Sequence, residues 1–160
     1  GFMTPSVPFA ERWKIIMIDN IGQKLEQGKY LDVEDICKEM NAFEIRDIFM
    51  NIAYETESVN VYGFIAHMSR KQENIEWLKL AADIMLNPLC FIEGAYSIAL
   101  FHARELLSID RNVENLERIL FFYNIPERLI DEDEARCIAE ELLDIESDNK
   151  VACEIINGRG

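Results

Sequence analysis

One segment of this chain occurs twice. Residues 99–110 read Ala-Leu-Phe-His-Ala-Arg-Glu-Leu-Leu-Ser-Ile-Asp, and residues 135–146 read Ala-Arg-Cys-Ile-Ala-Glu-Glu-Leu-Leu-Asp-Ile-Glu, 36 residues further on. Both copies follow the frame Ala-x-x-x-Ala-x-Glu-Leu-Leu-x-Ile-acid, and each is followed within three residues by an asparagine, Asn112 or Asn149. The alanines and the first leucine fall at i, i+4 and i+7, one side of a helix. A period of this size is the mark of a helix-pair repeat, in which a unit that cannot bury its apolar face alone stacks on its neighbour. Such arrays mostly bind other proteins, so the repeat restricts the fold strongly and the function only by class.

The remaining sequence reads as helix throughout. Pro8 suits the first position of a helix reaching to about residue 27, with Phe9, Trp13, Ile16, Met17, Ile21 and Leu25 at helical spacing and Gly28 at its C-terminal cap. Asp32 is placed to cap a short helix to residue 40, and Asn41 with Glu44 forms a capping-box pattern ahead of a helix to about residue 54. Residues 59–69 carry Val59, Val61, Tyr62, Phe64 and Ile65, a run that also suits a strand. Helical neighbours decide it as helix. Further helices are expected over 72–86, from 89 or 94 to 109, 112–123, 131–145 (capped by Asp131 with Glu134) and 150–157. The expectation is an all-α chain of about nine helices. They would form a two-layer antiparallel helical repeat, a single domain over 1–160 with a divergent cap in 1–90 and repeat pairs in 91–160.

Charge narrows the partners. The 160 residues carry 30 acids against 16 Lys and Arg, a net of −14. Such a surface repels nucleic acid and anionic membranes and favours a basic partner. The longest apolar runs are about five residues, far short of a membrane span. The N-terminus lacks the basic-then-apolar pattern of a signal peptide. Cys37, Cys90, Cys137 and Cys153 are too far apart for a metal-ligand pair and sit among apolar residues, the pattern of buried free thiols in a cytoplasmic protein.

Little in the chain points to chemistry. Of the two histidines, His102 has Glu105 three residues on, a pair expected to hydrogen-bond at the surface or between helices rather than to hold a metal. His67 has only Glu73 and Cys90 at irregular distances. There is no Gly-x-Ser-x-Gly, no glycine-rich phosphate loop, and no calcium-loop spacing in Asp131-Glu132-Asp133-Glu134. No catalytic residue, cofactor or metal is expected, and the chain reads as a non-enzyme.

Two features read as interaction surfaces. Pro126–Asn157 carries eleven acids and three bases. On the helix over 131–145 the apolar stripe takes residues 135, 138, 139 and 142, leaving Asp133, Glu140, Glu141 and Asp144 on the solvent side. The second is Ile119-Leu120-Phe121-Phe122-Tyr123. With Leu116, Ile119, Leu120 and Tyr123 facing inward, Phe121 or Phe122 must point elsewhere.

The repeat resembles the tetratricopeptide family, whose helices begin Ala-x-x-x-aromatic-x-x-Ala and end Leu-x-Leu-Asp-Pro-x-Asn. Ala99, Ala103, Leu106, Leu107, Ile109, Asp110 and Asn112 follow that frame, as do Ala135, Ala139, Leu142, Leu143, Ile145 and Asn149. The family's proline is Arg111 in one copy and Ser147 in the other. The resemblance covers residues 94–157, and it implies that the helix carrying Glu117 and Phe121 lines a concave binding side. In its small size, acidity and all-helical texture the chain is also similar to immunity proteins of bacterial polymorphic toxin systems. That resemblance implies binding and occlusion of a cognate basic toxin domain. The alternative is a generic repeat scaffold gripping a peptide or protein.

Overall fold

The structure is a computed structural model that describes residues 7–71 and 74–158. Among the described residues the chain is all-helical, with nine helices and no strand. They are α1 (Phe9–Glu26), α2 (Tyr30–Cys37), α3 (Ala42–Thr56), α4 (Val59–Lys71), α5 (Ile75–Leu86), α6 (Ala95–Ile109), α7 (Val113–Asn124), α8 (Glu132–Ile145) and α9 (Lys150–Ile156). No helix among these residues is long and apolar enough to cross a membrane. The ambiguous run at 59–69 is the helix α4. The expected start of α5 at residue 72 lies outside the described residues.

Side chains mark most of the starts. Asn41 accepts from the Glu44 N–H while Glu44 accepts from the Asn41 N–H, a complete capping box. Asn74, Asn112, Asp131 and Asn149 accept from the backbone N–H of Glu76, Asn115, Glu134 and Ala152. Each such cap removes an orphan donor and is worth about 1 kcal/mol. The expected cap of α2 is different. After α1 the chain turns through Gly28 at φ +70°, with Gly28 N–H bonded to Leu25 and Lys29 N–H to Lys24, a Schellman turn. That turn launches α2 at Tyr30, so Asp32 falls inside its first turn and lies 3.9 Å from Lys24 instead of capping.

The chain divides into two compact units, residues 1–91 and 92–160. The first contains α1 to α5. Its centre is aromatic: Phe49 and Phe64 stack at 5.4 Å, and Trp77 meets both edge-on at 5.8 Å. Both phenylalanines are fully buried, each contributing about 2–3 kcal/mol by removal from water. Tyr30 packs edge-on against Phe64 at 5.4 Å and donates its hydroxyl to the Asn60 carbonyl at 3.1 Å. It reaches that carbonyl across Gly63, where a side chain would stand in its way. The long apolar face expected of α1 is only half used. Ile21 and Leu25 are buried, whereas Phe9 is 75% and Ile16 63% exposed. Ile16 precedes Ile21 by five residues, which puts it about 140° round the helix from the side that packs.

The second unit holds α6 to α9, with α6 packed on α7, α7 on α8 and α8 on α9. The repeated frame occupies matching places. Ala99, Ala103 and Leu106 of α6, and Ala135, Ala139 and Leu142 of α8, are all buried. Asn112 and Asn149 cap the helix that follows each copy. The turn after the second copy is one residue longer. After the first, fully buried Asn115 donates its amide to the Leu106 and Asp110 carbonyls, satisfying the end of α6. Phe122 is fully buried and Phe121 is the one that looks outward. The expected buried thiols reduce to Cys37. Cys90 and Cys137 are exposed and Cys153 is half-buried, because Cys137 lies on the outward side of α8 rather than on its apolar stripe.

Candidate protein-binding face on α6 and α8

The 36-residue offset superposes two outward faces. On α8 the exposed positions Asp133, Cys137, Glu140 and Asp144 recur at i, i+4, i+7 and i+11, one stripe of the helix. Subtracting 36 gives Ser97, Phe101, Arg104 and Ser108 on α6, and these four are exposed too. Hydrophobic patterning explains the match. The same alanine–leucine frame is buried in both helices, so the same positions are left facing water.

Two arginine forks reach α8, one from α6 and one from the turn that follows it. Arg104 grips Glu134 through two nitrogens at 2.6 and 3.0 Å, and Arg111 grips Glu141 at 2.7 and 2.7 Å. Each is a bidentate guanidinium–carboxylate pair, the geometry in which an ion pair is strongest. The Arg111 guanidinium beside Glu141 holds that carboxyl below the usual carboxylate range, and the carboxylates raise both arginines. The forks tie α8 to α6 and to the turn after it, and each of the two helices carries the same exposed stripe.

The expected binding residues separate into two groups. Asp133, Glu140 and Asp144 are exposed, and none of them pairs with a base among the described residues. Glu141 is half-buried and tied to Arg111. Glu117, on α7, accepts from the Asn149 amide at 2.6 Å and so steadies the cap of α9. Phe121 is 37% exposed, its ring edge-on to Tyr96 at 6.0 Å and to Phe122 at 5.2 Å. Helix periodicity sorts inward from outward but does not show which outward acids have a cross-helix partner. Phe101, 58% exposed, was missed. The offset was its signal, since it makes Phe101 the equivalent of Cys137 in the outward stripe.

His102 is not at the surface. It is 4% exposed, and its Nδ1 lies 2.7 Å from Glu105 Oε1 on the same helix. His67 has a partner the spacing did not suggest. Its Nε2 is 3.3 Å from the buried Glu34, whose second oxygen takes Lys71 Nζ at 2.6 Å. That bond to Lys71, above all, lowers the Glu34 pKa. Among the described residues no group of three or more His, Cys, Asp or Glu side chains converges as a metal site would. The chain matches no protein-family model, no curated protein and no solved structure.

Proposed function

We propose that this chain is a protein-binding module, an immunity-type inhibitor that occludes a basic toxin domain in the cytoplasm of a bacterial cell. The observation that carries this reading is the unneutralised stripe Asp133, Glu140 and Asp144. Three carboxylates stand at regular spacing along one exposed helix face, while the neighbouring acids Glu132, Glu134 and Glu141 are held by Arg136, Arg104 and Arg111. The chain's net charge of −14 adds a long-range field of the same sign.

In this mechanism the field steers a basic partner onto the α6/α8 face and accelerates association. Phe101 then supplies an apolar anchor whose burial slows dissociation. The repeated frame supports this reading, since it leaves the same outward positions exposed on both helices. Phe121 and Glu117, on α7, belong to a different helix and contribute secondarily at most.

The test is capture from the source cell, comparing the native chain with the triple variant Asp133→Lys, Glu140→Lys, Asp144→Lys. The native chain should retain one basic domain in a one-to-one complex and suppress that domain's toxicity. The triple variant should associate on the order of 10–100-fold more slowly at low salt. A partner whose binding ignores both salt and the three reversals refutes the electrostatic mechanism. Retention of many unrelated peptides favours a general scaffold.

A further inference from the structure

The first unit contains a cleft of about 220 Å³, between the end of α2, the first turns of α3 and the first turns of α5, with α4 beneath. A water molecule takes up about 30 Å³ in the liquid, and native interiors leave few voids larger than one. Its floor is apolar: Cys37, Met68, Trp77 and Leu80, each 5% exposed or less. Burial pushes the Cys37 thiol up to about 12, so it stays protonated and acts as a small apolar side chain.

The rim decides the charge of what fits. The acid nearest the floor, Glu34, has both oxygens engaged, by Lys71 and His67. It offers little to a cation. Arg46 is different. Among the described residues its one bond is from Nη2 to Asp83 Oδ2 at 2.7 Å, and its side chain is 46% exposed, which leaves its other N–H groups for a ligand. Lys38 stands on the same rim, held by Asp35 at 3.0 Å, and the capped starts of α3 and α5 lie beside it. The rim's charges balance, Glu34 and Glu76 against Lys38 and Arg46, and Glu76 leans on Lys79 at 3.6 Å, so the unfilled N–H groups over the apolar floor are those of Arg46.

We propose that this cleft binds a small amphipathic monocarboxylate, an aromatic or branched aliphatic acid. Its apolar body lies on Met68, Trp77 and Leu80, and its carboxylate takes the open side of the Arg46 guanidinium. The site is independent of the α6/α8 face, and the failure of either proposal leaves the other standing.

The experiment uses the full chain carrying Trp13→Phe, which leaves Trp77 as its one tryptophan of the two. Phenylacetate, 2-phenylethanol and 2-phenylethylamine are titrated while Trp77 emission is followed. Phenylacetate should saturate with a Kd of about 1 mM or tighter, the alcohol should bind more weakly, and the amine should bind at least about tenfold more weakly. Arg46→Gln should weaken phenylacetate by about tenfold and leave the alcohol unchanged, with Arg46→Lys restoring part of the loss. The proposal is overturned if phenylacetate fails to saturate by about 20 mM, if the amine binds as well, or if a folded Arg46→Gln chain binds phenylacetate unchanged. Should Arg46→Gln not fold, the ranking of the three probes on the native side chain decides.

Discussion

Gly63→Ala should change sign with the residue at position 30. Gly63 lies inside α4, where replacing glycine by alanine ordinarily stabilises a helix by about 0.8–1.0 kcal/mol. Here the added Cβ would come 2.8 Å from the Tyr30 hydroxyl oxygen, closer than van der Waals contact allows. The hydroxyl cannot simply swing aside. Its ring is packed edge-on against Phe64, and its hydrogen bond to the Asn60 carbonyl fixes its depth. Moving it forfeits that bond, about 1 kcal/mol, and strains the packing by a further 1–2 kcal/mol or so. The net expectation is a destabilisation of about 1–2 kcal/mol. With Tyr30→Phe in place, the nearest remaining atom, Cζ, is 3.9 Å away, an ordinary contact. Gly63→Ala should then stabilise by up to about 1 kcal/mol. Urea unfolding of the four chains, native, each single variant and the double, measures the coupling, expected at about 2–3 kcal/mol. If Gly63→Ala shifts stability by the same amount in both backgrounds, the crossing of Tyr30 over Gly63 is wrong.

Three other outcomes follow from the packing and the charges. Phe122→Ala should cost about 3–5 kcal/mol and Phe121→Ala less than about 1 kcal/mol, read from urea midpoints, since the first ring is fully buried and the second is 37% exposed. Glu141→Gln should cost no more than about 1 kcal/mol at neutral pH, because the pair with Arg111 is half-exposed. Arg111 depresses the folded Glu141 pKa below 4.5, so that contribution is complete above 4.5 and disappears as pH falls through the depressed value. Thermal unfolding of both chains should therefore converge in acid, and a gap that widens there contradicts the assignment. Cys90 and Cys137 should react with a thiol reagent at pH 8 in the folded chain, while Cys37 reacts only on unfolding.

The sequence was most legible where structure is local. Asn41 with Glu44 and Asp131 with Glu134 each cap a helix through a bond spanning three residues, so nearby letters suffice; Asn112 and Asn149, read as part of the repeated frame, prove to cap in the same way. The buried frame Ala135, Ala139 and Leu142 was legible for a similar reason, its period being that of the helix. What stayed hidden depends on distant partners. Phe9 and Ile16 share the apolar character of Ile21 and Leu25 yet face water, because burial depends on which side of α1 meets other helices. Glu117 and Glu141 look like solvent-facing acids until Asn149 and Arg111 arrive from elsewhere in the chain. The cleft over Trp77 gathers residues from four helices, and no short motif records it.

The packing order of the second unit, α6 on α7, α7 on α8 and α8 on α9, has a kinetic meaning. Most of its contacts close short loops, so little chain entropy is lost before each one forms, and such topologies assemble fast. The exceptions are the forks from Arg104 and Arg111 to α8, each spanning 30 residues, and the bond from Asn149 to Glu117, spanning 32. They can lock only after the intervening turns are in place. The unit is therefore built like a zip with late clasps: pulled from one end it should yield hairpin by hairpin, the long-range bonds letting go as the turns between them open.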